Sequence, residues 1–180
     1  PLEIGDRNVI REYATIHRGT IQDQSITRIG SDNLLMAYTH VAHDCVIGNG
    51  VILANRASWA GRVHVNDAAI LGGFSLVHQF CRIGRYSFSG MGSVISRDIP
   101  PYVMVGGSPT KPRGINNVGM ERHGFSAETI LQVKRAFKLI YKSKLKLEEA
   151  IESLTVMAAE YPEVAPIVDF LQQSGRSIIR

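Results

Sequence analysis

Apolar side chains recur every six residues through the first half of the chain. From Ile29 the steps land on Leu35, Val41, Ile47, Leu53, Trp59, Val65, Leu71, Val77, Ile83, Ser89 and Ile95, and only Ser89 is polar. A small or short side chain often follows four residues later, at Asn33, Thr39, Cys45, Ala57, Val63, Ala69, Ser75, Cys81, Ser87 and Ser93. This is the hexapeptide pattern of a parallel β-helix. At eighteen-residue spacing the aliphatic is followed by Gly or Asn, in Ile29-Gly30, Ile47-Gly48, Val65-Asn66 and Ile83-Gly84. Three hexads therefore make one coil of a triangular prism, with three short strands and a tight corner after each. Ile4, Ile10 and Ile16 start the same series, but Ile4 and Ile29 are twenty-five residues apart, eighteen plus seven. A seven-residue loop is thus expected near 17–28, and loops that interrupt a coil tend to cover a site or a partner.

The repeat ends at Ile95. Asp98-Ile-Pro-Pro-Tyr-Val and Gly106-Gly-Ser-Pro-Thr-Lys-Pro predict an irregular connector, because Pro and Gly oppose regular structure. Beyond it, Ser126 is a candidate N-cap for a helix carrying Ile130, Val133, Phe137 and Ile140. A second helix is expected from Leu147 to Glu160 and a third from Pro162 to Gln173. The division that follows is a β-helix over 1–103, a connector over 104–125 and a helical C-terminal domain over 126–180.

Composition adds exclusions. Twenty Lys plus Arg against sixteen Asp plus Glu leave a charge of +4, with 44% hydrophobic and 20% charged residues. No long run of like charge favours a nucleic-acid stripe or a disordered arm. No apolar stretch reaches membrane-spanning length, and PLEIGDRN has neither the basic start nor the apolar core of a signal peptide, so a cytoplasmic location is expected. Cys45 and Cys81 lie two coils apart in one column, roughly 9 to 10 Å and too far for a disulfide, so they read as core filler. Lys138, Lys142, Lys144 and Lys146 read as a solvated face, with an acidic protein partner as the lesser reading.

Five of the six histidines, His17, His40, His43, His64 and His78, fall in the coil region. A β-helix core holds no catalytic machinery, so chemistry must come from corners and subunit boundaries. His43 precedes Asp44, with Gly61 one coil on and Gln79 two coils on in the same column. A glycine beside a histidine leaves a backbone N–H open to a ligand, as an oxyanion site requires. His17 and His64 read equally well as plain surface histidines. His40 and His43 also make a candidate zinc pair, but their three-residue spacing gives no reason to place both rings on one side.

The segment HVAHDCVIGNGVILAN, with IHRGT before it and GGFSLVHQFCRIG and IPPYVMVGG after it, resembles the bacterial UDP-N-acetylglucosamine O-acyltransferase family of lipid A biosynthesis. The likeness runs to the closing SGRSIIR. It implies a left-handed parallel β-helix with a small α-helical C-terminal domain, assembled as a cytoplasmic homotrimer. The implied reaction moves an (R)-3-hydroxyacyl group from acyl carrier protein to the 3-hydroxyl of UDP-N-acetylglucosamine. No metal or resident cofactor is implied, because the donor acyl group rides on the carrier's phosphopantetheine. By the resemblance His43 is general base, Asp44 its orienting partner and the Gly61 N–H the oxyanion donor. His40, His78 and Gln79 match the substrate cleft, Asn116 and Arg122 match groups that hold the nucleotide, and Met91 matches the far end of the acyl groove. Met91 should fill that end and favour a donor of about ten carbons, since each buried methylene is worth about 0.8 kcal/mol.

The chain departs from the family at three positions. Arg62 stands where a His is usual, Val118 where a carboxylate is frequent, and His123 where a second Arg is common. Family members also carry further coils before PLEIGDRN, so the resemblance leads us to expect a fragment or a shortened protein with little activity alone. The competing readings are a hexapeptide acyltransferase that uses acyl-CoA and an inactive trimeric β-helix.

Overall fold

The six-residue period folds into a parallel β-solenoid. The structure is a computed structural model that describes residues 1–21, 25–173 and 177–180. The first side of the prism stacks Leu2–Ile4, Thr27–Ile29, Val46–Ile47, His64–Val65 and Arg82–Ile83. The second stacks Val9–Ile10, Leu34–Leu35, Ile52–Leu53, Ile70–Leu71 and Phe88–Ser89, and the third Thr15–Ile16, His40–Val41, Ser58–Trp59, Leu76–Val77 and Val94–Ile95. Partners such as Ile47↔Val65 and Val65↔Ile83 are one eighteen-residue coil apart. Ile4↔Ile29, Ile10↔Leu35 and Ile16↔Val41 are offset by twenty-five, as the inserted loop requires. Within that loop 22–24 lie outside the described residues.

The second residue of each two-residue strand from the second coil on points inward. Leu35, Leu53, Leu71, Val41 and Ile95 are fully buried, and each aliphatic so buried contributes about 1.5–3 kcal/mol. Ser89, the polar exception, is satisfied inside the core, where its hydroxyl meets Ser75 Oγ at 2.9 Å and accepts from Gly72 N–H at 3.2 Å. The corner between the third and first sides turns through residues in the left-handed region, with φ of 59° at Asp44, 63° at Arg62 and 67° at Phe80. Both cysteines are buried and neither is in a disulfide, and burial pushes the Cys45 thiol up to about 11.

The stretch expected to be irregular is not. Val103–Gly106 adds to the second side, parallel to Phe88–Ser89, and pairs antiparallel with Lys111–Ile115. Pro112 is tolerated because that strand is the sheet edge and the register shifts at Met104/Val105, so no ladder N–H is demanded of it. A short helix α1, Asn117–Arg122, follows.

Helix α2 spans Ala127–Tyr141 and is capped by Ser126 Oγ, which accepts from Thr129 N–H at 3.1 Å. Helix α3 spans Leu147–Glu160. The third expected helix is a 3₁₀ turn, Pro162–Val164, running into α4, Ala165–Gln172. The tail returns to the last coil, where Ile179 N–H donates to Asp98 O at 2.9 Å. Most of the buried apolar residues form one cluster from Ile29 to Ile179, so the helices share the solenoid's core. Among the described residues no helix is long and apolar enough to cross a membrane.

Candidate active site

The inserted loop leaves the coil after Ile16 and returns at Thr27. Both of its ends grip Asp44. Thr20 donates to the Asp44 carboxylate through its backbone N–H, at 3.0 and 3.2 Å, and through its hydroxyl at 2.7 Å. Thr27 Oγ1 accepts from Asp44 N–H at 2.8 Å. Gly19 makes the approach possible, because a Cβ there would stand 2.0 Å from Ile26 N.

Asp44 is 1% exposed. Burial by itself pushes its carboxyl up, but hydrogen bonds from the Thr20 hydroxyl, His43 and the Thr20 N–H outweigh that and hold it below the ordinary carboxylate value. His43 Nδ1 lies 2.8 Å from Asp44 Oδ2. An ionised carboxylate can only accept, so Nδ1 carries a proton, and in the neutral ring Nε2 presents a lone pair.

The other face of the ring meets Gly61, one coil on. Among the described residues Gly61 N–H meets no hydrogen-bond acceptor, while its carbonyl accepts from Phe80 N–H at 3.3 Å. A base with a fixed tautomer therefore stands beside an uncommitted donor, as proton abstraction and oxyanion stabilisation require.

Around this pair, His40 Nδ1 lies 2.7 Å from Thr15 Oγ1, and its ring meets His17 edge-on at 4.8 Å between centroids. Burial first, and the nearby His17 second, lower the His40 pKa. His40 and His43 thus engage separate partners through Nδ1. His78 is exposed and its Nδ1–H donates to Gln79 O at 3.1 Å. Arg62, the departure beside Gly61, lies over the Phe80 ring at 5.2 Å.

Asn116 and Arg122 sit elsewhere on the chain. They line a groove of about 500 Å³ on the second side, floored by Ile52, Ile70, Phe88 and Met104 and edged by Val118 and His123. The Asn116 amide is committed to the fold, donating to Tyr86 O at 2.9 Å and accepting from Gly119 N–H at 3.0 Å as the α1 cap. His123 Nδ1–H donates to Gly119 O at 2.7 Å. One chain does not bring this groove to the His43 corner, since they occupy different sides of the prism. Met91 is 79% exposed at the corner after Phe88–Ser89.

Sequence reasoning missed Thr20. Thr20 stands in IHRGT, which marks the resemblance and carries no chemical signal beyond its place in the inserted loop.

Comparison with known proteins covers the whole of this arrangement. Residues 98–179 match the second domain of UDP-N-acetylglucosamine O-acyltransferase, and residues 26–58 match the bacterial transferase hexapeptide repeat. The chain is 53% identical over 179 residues to an acyl-[acyl-carrier-protein]–UDP-N-acetylglucosamine O-acyltransferase from Alkalilimnicola ehrlichii and 55% identical to that of Ectopseudomonas mendocina. Each match covers 99% of this chain and 69% of the relative. Among solved structures, the UDP-N-acetylglucosamine acyltransferase of Francisella novicida superposes with a TM-score of 0.97 at 41% identity, over 99% of this chain and 66% of that one. The Moraxella catarrhalis enzyme gives 0.97 at 47% identity, over 99% and 70%.

Proposed function

The chain belongs to the UDP-N-acetylglucosamine O-acyltransferase family, and we propose that its His43 corner carries out that family's acyl transfer. The reaction takes an (R)-3-hydroxyacyl group from acyl carrier protein to the 3-hydroxyl of UDP-N-acetylglucosamine, the first step of lipid A biosynthesis. The observation that carries the reading is the ordering of His43 between Asp44 and Gly61.

An alcohol attacks a thioester slowly until a base takes its proton. In this reading His43 Nε2 removes the proton from the sugar hydroxyl as its oxygen bonds to the thioester carbon. Asp44 stabilises the imidazolium that forms, and the Gly61 N–H donates to the oxygen that becomes negative. Collapse of the tetrahedral adduct breaks the C–S bond, and the carrier thiol leaves with the proton held on Nε2. The step balances without redox change. His40, His78 and Gln79 flank the acceptor sugar, and Arg122 meets the nucleotide where Asn116 shapes the wall.

The separation of the two sites supports a homotrimer, in which the His43 corner of one subunit faces the Arg122 groove of the next. A left-handed winding of the coils and a helical end acting as a small domain accompany the resemblance, as does a cytoplasmic location. No resident cofactor enters the chemistry.

The test is an acyl-transfer assay with (R)-3-hydroxyacyl carrier protein or the matching acyl-CoA as donor and UDP-N-acetylglucosamine as acceptor. Transfer from the carrier protein alone is expected. Equal transfer from acyl-CoA would overturn the donor assignment, and no transfer from either by the chain joined to the preceding coils of a relative would overturn the reading. Sedimentation at micromolar concentration should give a trimer; a monomer would remove the shared site.

A further inference from the structure

The three sides of the prism differ in what they show to the outside. The first carries Arg28, Val46, His64 and Arg82 in register, and Arg28 pairs with Glu3 at 3.1 Å. Its far end is covered by α4, where Arg82 lies over the Phe170 ring at 4.5 Å. The second side shows Leu34, Ile52, Ile70 and Phe88, all partly exposed, and the third shows half-exposed Leu76 and Val94. Apolar surface on two adjoining sides favours packing against other copies over the charged first side. If the His43 corner of one copy faces the Arg122 groove of the next, the third side of each prism lies against the second side of its neighbour. In a closed ring of three, every prism uses both sides, and the corner they share points at the symmetry axis.

That corner carries an unbroken stack. Tyr13, Tyr38, Arg56 and Phe74 hold the same place in successive coils, each in the left-handed region with φ of 59°, 61°, 61° and 58°. The backbone steps between coils through Tyr38 N–H to Glu12 O at 3.1 Å, Arg56 N–H to Ala37 O at 3.1 Å and Phe74 N–H to Asn55 O at 3.0 Å. The rings of Tyr13 and Tyr38 stack at 4.9 Å. The Arg56 guanidinium lies 5.1 Å from the centre of the Tyr38 ring and 5.6 Å from that of Phe74, so two aromatic rings hold it from either side. All four side chains are exposed in the single chain. Among the described residues no carboxylate lies within ion-pair distance of Arg56, and Glu12, the carboxylate of this corner, is engaged by Arg11 at 3.1 Å.

On a threefold axis one Arg56 becomes three. Three guanidiniums in one layer repel one another until an anion lies among them, and aromatic layers above and below exclude water, which strengthens both effects. We propose that the three Arg56 side chains hold a tetrahedral oxyanion, of the phosphate or sulfate type, on the axis. The symmetry of the ligand fits: with one oxygen along the axis, its other three oxygens each meet one guanidinium. The anion is then a ligand of assembly, which stabilises the trimer by mass action and does not touch the reacting atoms. The inference rests on the homotrimer of the acyl-transfer reading and adds to it a ligand that the reaction does not use.

The experiment titrates the chain calorimetrically with inorganic phosphate in chloride buffer at constant ionic strength and sediments the same samples. It is run on the chain alone and on the chain joined to the preceding coils of a relative. One phosphate per three chains is expected, with sulfate competing for it. Arg56→Gln should remain a trimer and bind phosphate roughly a hundredfold more weakly, since one substitution removes three cations, while Arg56→Lys should lose less. Thermal melts give a second reading, because the parent should gain more from phosphate than the glutamine variant, which feels only the general salt effect. A trimer that takes up no phosphate, or an Arg56→Gln variant that binds it as the parent does, overturns the axial site and leaves the homotrimer standing. Uptake of one phosphate by every chain overturns it as well. A monomer in both forms of the protein, with or without phosphate, overturns the homotrimer and the axial site together.

Discussion

The imidazole of His43 occupies the space that Gly61 leaves by having no side chain. A Cβ at Gly61 would stand 2.6 Å from His43 Cε1 and 2.7 Å from Nε2. The ring cannot yield without leaving Asp44, so Gly61→Ala should lower turnover by about a hundredfold through misplacement of the base. His43→Ala should lower it by about two to four orders of magnitude. Both variants should melt within a few degrees of the parent. A fall of less than tenfold in either would remove these residues from the catalytic centre.

Thr20→Val removes the hydroxyl that donates to Asp44 and leaves a buried carboxylate short of a partner, a change that costs about 1–3 kcal/mol. Because the Asp44 carboxyl is held below its ordinary value of 3.8 in the fold, its ionised form stabilises the protein above that pH. That contribution disappears as pH falls through the depressed folded value. Acid titration of the valine variant should therefore show unfolding at a higher pH than the parent. An unchanged acid transition would show that the loop does not hold Asp44.

His40 gives a pH dependence of the opposite chemical origin. Its folded pKa lies below the ordinary 6.5, so the unfolded chain binds its proton first as pH falls. Stability contributed by the neutral ring should be complete above about pH 6.5 and decline below it until the folded group also protonates. Urea midpoints between pH 5 and 8 should show this decline, and His40→Gln should flatten it. Identical slopes in the two proteins would place the titration elsewhere.

Met91 should act as a ruler for the acyl group. Met91→Gly in the active enzyme should move donor preference from about ten carbons toward longer chains, each further methylene gaining up to about 0.8 kcal/mol. A series of carrier-protein thioesters of increasing length reads this directly. An unchanged preference would mean that the exposed thioether has no contact with the donor.

The sequence alone determined the solenoid, its coil length, the place of the insertion and the column of His43, Gly61 and Gln79. A parallel β-helix repeats by translation, so residues eighteen apart must stack, and one arithmetic step recovers a tertiary contact such as the ring of His43 on Gly61. The helix boundaries at Ser126 and Leu147 were legible for a local reason, a capping side chain and apolar spacing. Only the tertiary structure decided the rest. The Val103–Ile115 hairpin exists because an open sheet edge accepts a proline-bearing strand, whatever its own propensity. Thr20 reaches Asp44, and Arg97, Lys111 and Arg180 reach one groove, through a loop, a hairpin and a returning tail. Such contacts carry no period, because they depend on where irregular segments close in space and not on how far apart the residues stand along the chain.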